Sequence, residues 1–321
     1  MTATTNSGDQ LRANDWDAYV GQEQLKATLQ LRIDAAVAGG RMLDHVFLAA
    51  GPGMGKTTIA NLIATRLGDD LQMFVAGPSF NRKALIRLLR DWEGGVLFID
   101  EIHRLSKQQQ EDLLSLTEDG FIALDNGKRM YHNAITVIGA TTEPEKVIAP
   151  LLDRFPIKPQ FSDYSDAEMG QIVQGMASKL GLDLDRDFAI ELGQATGGTP
   201  RNARQFVLAA RDLEQLGRPV TVASILTLCS MDRDGLSDQH IVYLKALHEL
   251  GGVSGMDKIA NMTRLHPTTL TNLERVLVSK GFIVYTFAGR ELTQAGSRKS
   301  QGIDAATDSR PAPRTRRVVA A

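Results

Sequence analysis

Between an apolar run, His45-Val46-Phe47-Leu48-Ala49, and a helical pattern, Thr58-Ile59-Ala60-Asn61-Leu62-Ile63-Ala64, lies the loop Ala50-Gly51-Pro52-Gly53-Met54-Gly55-Lys56-Thr57. A buried strand, a glycine-rich loop and a helix in that order are the setting of a phosphate-binding P-loop, and they imply an α/β sheet around it. Glycines let successive backbone N–H groups turn inward around a phosphate, and the helix N-terminus adds the positive end of its dipole. In such a loop Lys56 reaches the β- and γ-phosphates, and the Thr57 hydroxyl is a ligand for Mg²⁺. Gly51, Pro52, Gly53, Met54, Gly55 and Thr58 complete the nucleotide-binding stretch. Ala50 stands where the strict pattern has its first glycine, a small residue for a smaller one. A glycine-rich turn that only caps a helix is the competing explanation, and the flanks in register argue against it. The chain is therefore expected to bind a nucleoside triphosphate.

Val96-Leu97-Phe98-Ile99-Asp100-Glu101 is the second informative stretch. Four apolar residues ending in two acids read as a buried parallel strand that delivers carboxylates at its C-terminal end, where α/β sheets bind ligands. Asp100 is expected to hold Mg²⁺, directly or through water, and Glu101 to orient the attacking water. An acidic strand end is weak alone and strong with a P-loop upstream. His103 and Arg104 carry no such pairing argument and are given surface or packing roles. A further buried strand, Ala134 to Gly139, ends in Ala140-Thr141-Thr142, whose polar side chains can contact the γ-phosphate or the lytic water.

At 321 residues, 43% hydrophobic and 23% charged, the chain has the composition of an ordinary globular protein with room for two or three domains. A single cysteine, Cys229, excludes an internal disulfide framework and suits a reducing cytoplasm; its apolar neighbours Ile225, Leu226 and Leu228 place it in a core. No apolar run is long enough to span a membrane, and the N-terminus lacks the layout of a signal peptide. A formal charge of −2 offers no global argument for nucleic-acid binding.

The punctuation of the chain predicts five parts. Residues 1–18 are a partly disordered segment, and 19–160 the ATPase domain, with a helix from Glu23 to about Val37, another from Arg82 to Arg90, and one from Lys107 to Thr117. Residues 119–133 read as a hairpin around Asp125-Asn126-Gly127. From 161 to 234 the pattern becomes helical, beginning at a capping box, Ser165-Asp166-Ala167-Glu168; helices at about 166–180, 187–195, 201–216 and 222–228 form a small lid. Residues 235–296 hold three helices, at about 238–250, 256–262 and 267–279, and two strands, 282–286 and 290–293, which make a winged helix. Its third helix buries Leu270, Leu273 and Leu277 and exposes Thr268, Asn272 and Arg275. Its near-neutral charge fits protein binding as well as DNA binding. Residues 297–321 carry six Lys/Arg against two Asp and are expected to be a disordered basic tail.

Together these stretches resemble the RuvB family of AAA+ motors, over about Leu11 to Gly296. The most specific strings are Val20-Gly21-Gln22-Glu23-Gln24, the Gly53–Thr58 loop, and Leu97-Phe98-Ile99-Asp100-Glu101-Ile102-His103-Arg104-Leu105. Ile138-Gly139-Ala140-Thr141-Thr142, Asp153-Arg154-Phe155 and Gly198-Thr199-Pro200-Arg201 complete the set. The resemblance implies a P-loop AAA+ domain, a helical lid and a C-terminal winged helix. It also implies roles: Val20 at the nucleotide, Thr142 as sensor 1, Arg201 as a lid arginine sensing the γ-phosphate, and Arg154 as an arginine finger reaching a neighbouring subunit. Spacing alone would make Arg154 a surface ion pair. The implied activity is ATP-driven translocation on duplex DNA by a homo-oligomeric, hexameric ring in Holliday-junction branch migration, with ATP and Mg²⁺ as cofactors and a RuvA-like partner. The alternative is a nucleotide-switched loader or initiator that binds DNA without translocating. An ATPase that remodels proteins is disfavoured, since nothing resembles an aromatic pore loop. Two further departures accompany Ala50. The 119–133 hairpin, the family's RuvA-docking element, is short, and the wing, Thr286-Phe287-Ala288-Gly289-Arg290, keeps only the second arginine of the family's Arg-Gly-Arg. Such divergence suits a phage or mobile-element member. DNA contact is assigned to Arg290, Arg275 and the basic tail.

Overall fold

The computed structural model describes residues 11–77, 82–124, 127–132 and 134–302. The chain divides between Tyr164 and Ser165 into two compact units.

In the first unit, helix α1 (Glu23–Ala38) precedes strand β1 (Val46–Ala49), and the glycine loop leads into α2 (Lys56–Leu67). Strand β2 (Leu71–Val75), α3 (Arg82–Asp91), β3 (Gly95–Asp100) and α4 (Lys107–Asp119) follow. After a hairpin of β4 (Phe121–Ala123) and β5 (Arg129–Tyr131) come β6 (Ile135–Thr141) and the short α5 (Ala149–Leu152). Strands β1, β6, β3 and β2 lie side by side in that order, all parallel, and Ile157 extends the sheet beyond β1 through a bridge to Val46.

Successive side chains on a strand face opposite sides, so the continuous apolar runs build two cores. Leu48, Phe98, Ile138 and Ala140 pack with α1 and α2 on one side. Phe47, Leu97, Ile99 and Val137 pack with α3, α4 and Phe155 on the other. Gly139 permits the second layer to close. A Cβ there would lie 2.9 Å from Ile102 Cδ1 and 3.2 Å from Phe155 Cζ, closer than packed carbons approach. Leu11 and Trp16 are buried, so the described part of the N-terminal segment belongs to this unit. Residues 1–10 lie outside the described residues.

The hairpin is small, and it packs on this unit's core with Tyr131 left exposed. Helix α4 continues to Asp119, and Gly120 ends it at φ 66°, which leaves three residues to each strand. Ile122 is fully buried, Leu124 packs on the same core, and Phe121 stacks with Tyr131 under the guanidinium of Arg129. Asp125 and Asn126, two thirds of the expected turn signal, lie outside the described residues.

The second unit begins with α6 (Asp166–Lys179), capped as expected: Ser165 Oγ accepts from Glu168 N, and Glu168 Oε2 accepts from Ser165 N at 2.8 Å. Helices α7 (Arg186–Gln194), α8 (Pro200–Gln215) and α9 (Val222–Leu228) complete a helical subdomain. Cys229 is not core. It is half-buried at the end of α9 beside an exposed Leu228, because the helix stops before the apolar pattern turns inward again.

The remainder is α10 (Asp238–Glu249), β7 (Val253–Ser254), α11 (Met256–Thr263), α12 (Pro267–Ser279), β8 (Ile283–Thr286), β9 (Gly289–Leu292) and α13 (Gln294–Ser300). Strand β7 pairs with β9, making a three-stranded wing sheet that two-residue β7 was too short to announce. The expected tail does not begin at 297. Thr293 caps α13, and Lys299 is bound between Asp232, at 2.9 Å, and Asp234 in the loop before α10. Burial pulls its amine down, and the two aspartates outweigh that and raise it. Residues 303–321 lie outside the described residues.

Candidate functional site

Strands β1, β6 and β3 end side by side: Ala49 is in register with Thr141, and Ile99 with Gly139. The glycine loop, Thr141-Thr142 and Asp100-Glu101 therefore emerge at one edge of the sheet, where open α/β folds bind ligands. Ala50 N–H donates to Thr141 O at 3.2 Å and fastens the loop to the central strand. Gly53 and Gly55 have φ of 80° and 97°, conformations natural to glycine. Lys56, the first residue of α2, is buried, and its Nζ donates to Ala50 O at 2.8 Å and Gly51 O at 3.1 Å. Its charge thus lies across the mouth of its own loop.

Tyr19 is a neighbour that the sequence did not flag. Its hydroxyl stands 2.9 Å from where a Cβ on Gly55 would be, so only glycine fits above it. The hydroxyl is 3.3 Å from that of Tyr164. Burial, and then Tyr164, push the Tyr19 phenol well above its ordinary range. The following segment is anchored by Gln22, whose buried amide exchanges hydrogen bonds with Ser162 at 2.6 and 2.9 Å. Val20 is half-buried between these two anchors.

At the end of β3, Asp100 Oδ1 accepts from Glu101 N–H at 3.0 Å. Glu101 adopts φ 51° and starts the tight turn Ile102–Arg104. Left-handed backbone is uncommon for a residue with a side chain and clusters at functional sites. Glu101 Oε2 accepts from Thr142 N–H at 3.2 Å and Thr142 Oγ1–H at 3.1 Å, and lies 3.2 Å from His103 Nδ1. The His103 ring also has Thr141 Oγ1 2.8 Å from Nδ1 and Glu143 Oε2 2.9 Å from Nε2. With its side chain only 6% exposed, His103 belongs to the site. Of the surface or packing role expected for His103, the surface half is corrected, because the turn after Glu101 folds the ring back onto the end of β6. Arg104 is exposed.

Thr57 Oγ1 and Asp100 are hard oxygen donors at the two ends of this edge, and Mg²⁺ in nucleotide sites takes one or two such protein ligands together with substrate phosphates. Among the described residues no group of three or more His, Cys, Asp or Glu can hold a metal by itself. Glu101 and Glu143 face opposite nitrogens of His103, so they do not converge on one point.

The basic residues have different fates. Arg154 follows α5 and is ion-paired with Glu118 of α4, both side chains about 40% exposed. Arg201 lies in the first turn of α8, exposed, with no ion pair among the described residues. Arg275 is exposed on α12 beside exposed Thr268 and Asn272, opposite the buried Leu270, Leu273 and Leu277. Arg290 is turned inward: its Nε and Nη2 bind the two oxygens of the buried Glu274 at 2.9 and 3.2 Å, and its guanidinium lies 5.5 Å from the Tyr285 ring. Among the described residues no helix is long and apolar enough to cross a membrane.

Comparison with known proteins points to one family. The family described as the Holliday junction DNA helicase RuvB P-loop domain matches residues 11–161. The RuvB C-terminal winged helix domain matches residues 233–299. The Holliday junction branch migration complex subunit RuvB of Staphylococcus saprophyticus is 34% identical over 302 residues, covering 88% of this chain and 90% of that protein. Its counterpart in Prochlorococcus marinus is 35% identical over 306 residues, covering 89% and 85%. Among solved structures, the Thermotoga maritima RuvB Holliday junction branch migration motor superposes with a TM-score of 0.80 at 31% identity, over 92% of this chain and 99% of that one.

Proposed function

The chain belongs to the RuvB family, and on that premise we propose that it is an ATP-hydrolysing DNA translocase that drives branch migration of Holliday junctions. The observation that carries this reading is the meeting of Lys56, Asp100, Glu101 and Thr142 at the ends of three adjacent parallel strands. Lys56 neutralises charge on the transferred phosphoryl group, Glu101 orients the attacking water, and Thr142 acts as sensor. Thr57 and Asp100 would hold Mg²⁺, which would supply charge neutralisation at the phosphates. Arg201 takes the second sensor role by its place in Gly198-Thr199-Pro200-Arg201. The exposed position of Arg154 suits a finger that acts on a neighbouring subunit, so catalysis belongs to a homo-oligomeric ring around duplex DNA in the cytoplasm. Arg275, on the solvent face of the winged helix, is a phosphate contact. Since Phe121, Ile122 and Leu124 of the short hairpin are wholly or partly buried within their own unit, an ordinary RuvA binds weakly, and a dedicated partner or direct loading replaces it.

The test is turnover with and without duplex and four-way-junction DNA, together with a branch-migration assay. DNA-stimulated hydrolysis coupled to junction movement is expected. ATP-dependent assembly on DNA without movement would favour the loader or initiator. Arginine fingers are worth about 10³–10⁵ in rate, so Arg154→Ala keeps ATP binding and hydrolyses very slowly, and mixing it with Lys56→Ala restores part of the activity. Confirmed mixed oligomers with no rescue would refute a finger supplied in trans.

A further inference from the structure

Resting on the assignment of Glu101 as the water-orienting carboxylate, we infer that His103 is its positioning residue and that Glu143 is the anchor that aims His103. Every hydrogen bond to the Glu101 carboxylate falls on one oxygen. Oε2 accepts from Thr142 N–H and Thr142 Oγ1–H and lies 3.2 Å from His103 Nδ1, while Oε1 has no hydrogen bond among the described residues. A carboxylate offers about four lone-pair sites. Pinning one oxygen and leaving the other open is what a group needs if it is to accept a hydrogen from water in a set direction. Thr142 and His103 approach from different elements, β6 and the turn after β3, so together they fix the carboxylate plane that either alone leaves free to rotate.

His103 is itself aimed. Nε2 is 2.9 Å from Glu143 Oε2, and the other Glu143 oxygen pairs with Lys146 Nζ at 2.8 Å. Glu143 N–H donates to Thr141 Oγ1 at 2.9 Å, and that hydroxyl is 2.8 Å from His103 Nδ1. The ring therefore has a carboxylate oxygen within 3.2 Å of each nitrogen. A histidine that only filled space would not need an acceptor on each side. The line from Glu143 through His103 to Glu101 ends on the oxygen opposite the open one.

Positioning acts on the reacting geometry rather than on ATP binding, so it should appear in kcat and not in affinity. The experiment measures kcat, KM and equilibrium ATP affinity for His103→Ala, His103→Asn, His103→Gln, Glu143→Gln and Glu101→Gln in the full chain. His103→Ala should lose about 10–100-fold in kcat with ATP affinity within about twofold of the parent. Asparagine places an amide nitrogen near the position of Nδ1 and can still donate to Glu101; glutamine places its amide near Nε2 and reaches only Glu143. The expected order of kcat is parent, then Asn, then Gln and Ala together, with Glu143→Gln a few-fold below the parent. In a Glu101→Gln background, His103→Ala should cause no further loss. Equal impairment of Asn and Gln, a parental kcat in His103→Ala, or a loss confined to ATP affinity would each overturn the inference. If His103→Ala fails to fold, the Asn–Gln contrast and Glu143→Gln, which leaves the ring in place, decide it by the same criteria. Parental turnover in Glu101→Gln would instead refute the water-orienting assignment itself.

Discussion

Two glutamates, one in each unit, are held by hydrogen bonds from elsewhere in the chain, Glu101 by two and Glu274 by four, and they are held differently. Glu101 stands at a strand end on left-handed backbone, with one oxygen fully engaged and the other open. Glu274 sits mid-helix in α12 with its side chain 1% exposed. Its Oε1 accepts from Tyr243 Oη at 2.7 Å and Arg290 Nε at 2.9 Å, and its Oε2 from Tyr285 Oη at 3.0 Å and Arg290 Nη2 at 3.2 Å. A buried ion pair holds only if further hydrogen bonds satisfy its remaining sites, and here two tyrosines supply them. Burial first, and then Glu274, raise both phenols, so they stay protonated donors. Saturation makes Glu274 a tie that joins α10 and α12 to the wing. Incomplete saturation leaves Glu101 one oxygen open, as the proposed water-orienting role requires. Glu101 is also the more exposed of the two, its side chain 20% exposed against 1% for Glu274.

That contrast can be tested at both ends. Glu101→Gln should lower turnover by about 10²–10⁴-fold, as loss of a general base does, while its thermal midpoint stays at the parental value; a fall in both would show that Glu101 is as structural as Glu274. Arg290→Met should do the reverse. Removing one partner of a buried pair costs about 3–5 kcal/mol, read by denaturant unfolding of the full chain, with ATP affinity unaltered. Arg290 was expected to face DNA. A variant that kept its stability and lost DNA affinity would return it to that role.

A smaller effect comes from His240 in the same unit. Its Nδ1 accepts from Ser237 N–H at 3.0 Å in a capping box, and burial, opposed by Asp232, lowers its pKa to about 4. An unfolded histidine titrates near 6.5, so between about pH 6.5 and 4 the unfolded chain binds more protons and stability falls as pH is lowered. The loss is on the order of 3 kcal/mol, complete below the folded value. Unfolding midpoints at pH 7 and 5 should converge in His240→Gln; an unchanged gap would assign the acid sensitivity elsewhere. The smallest effect is expected at Arg275. Alanine there should make the log–log salt dependence of duplex binding shallower by about 0.9, the value of one phosphate, without altering preference between two unrelated sequences.

Much of this was legible along the chain. The glycine loop, the acidic strand end and the helices of the second unit are local patterns, and α9 and α12 begin and end where the periodicity put them. The capping box at Ser106–Gln109 follows the same pattern as Ser165–Glu168, whereas those at Thr221–Ser224 and Ser237–His240 carry Ser and His in place of Glu or Gln and show only in the structure. What escaped was contact across sequence distance. Tyr19 touches Gly55, His103 bridges to Glu143, and Tyr243 reaches Glu274 across 31 positions. Helix α13 escaped too, because its seven polar and small residues carry no apolar period and depend on Thr293, Asp232 and Asp234 to hold them.

From the sequence by itself came the parallel α/β unit, the phosphate loop, the acids at a strand end, the helical segment and the winged helix. All are set by side-chain periodicity and by short motifs whose members are chain neighbours. Tertiary structure alone decided that β6 runs between β1 and β3 and so brings Thr142 against Glu101. It also decided that His103 faces inward and that Arg290 answers a buried acid. The physical reason is that a hydrogen bond depends on ångströms between atoms, whereas a linear pattern records only the spacing of residues along the backbone. Glu101 and Glu274 are both a single letter in that pattern, and the donors around each are supplied by other parts of the chain.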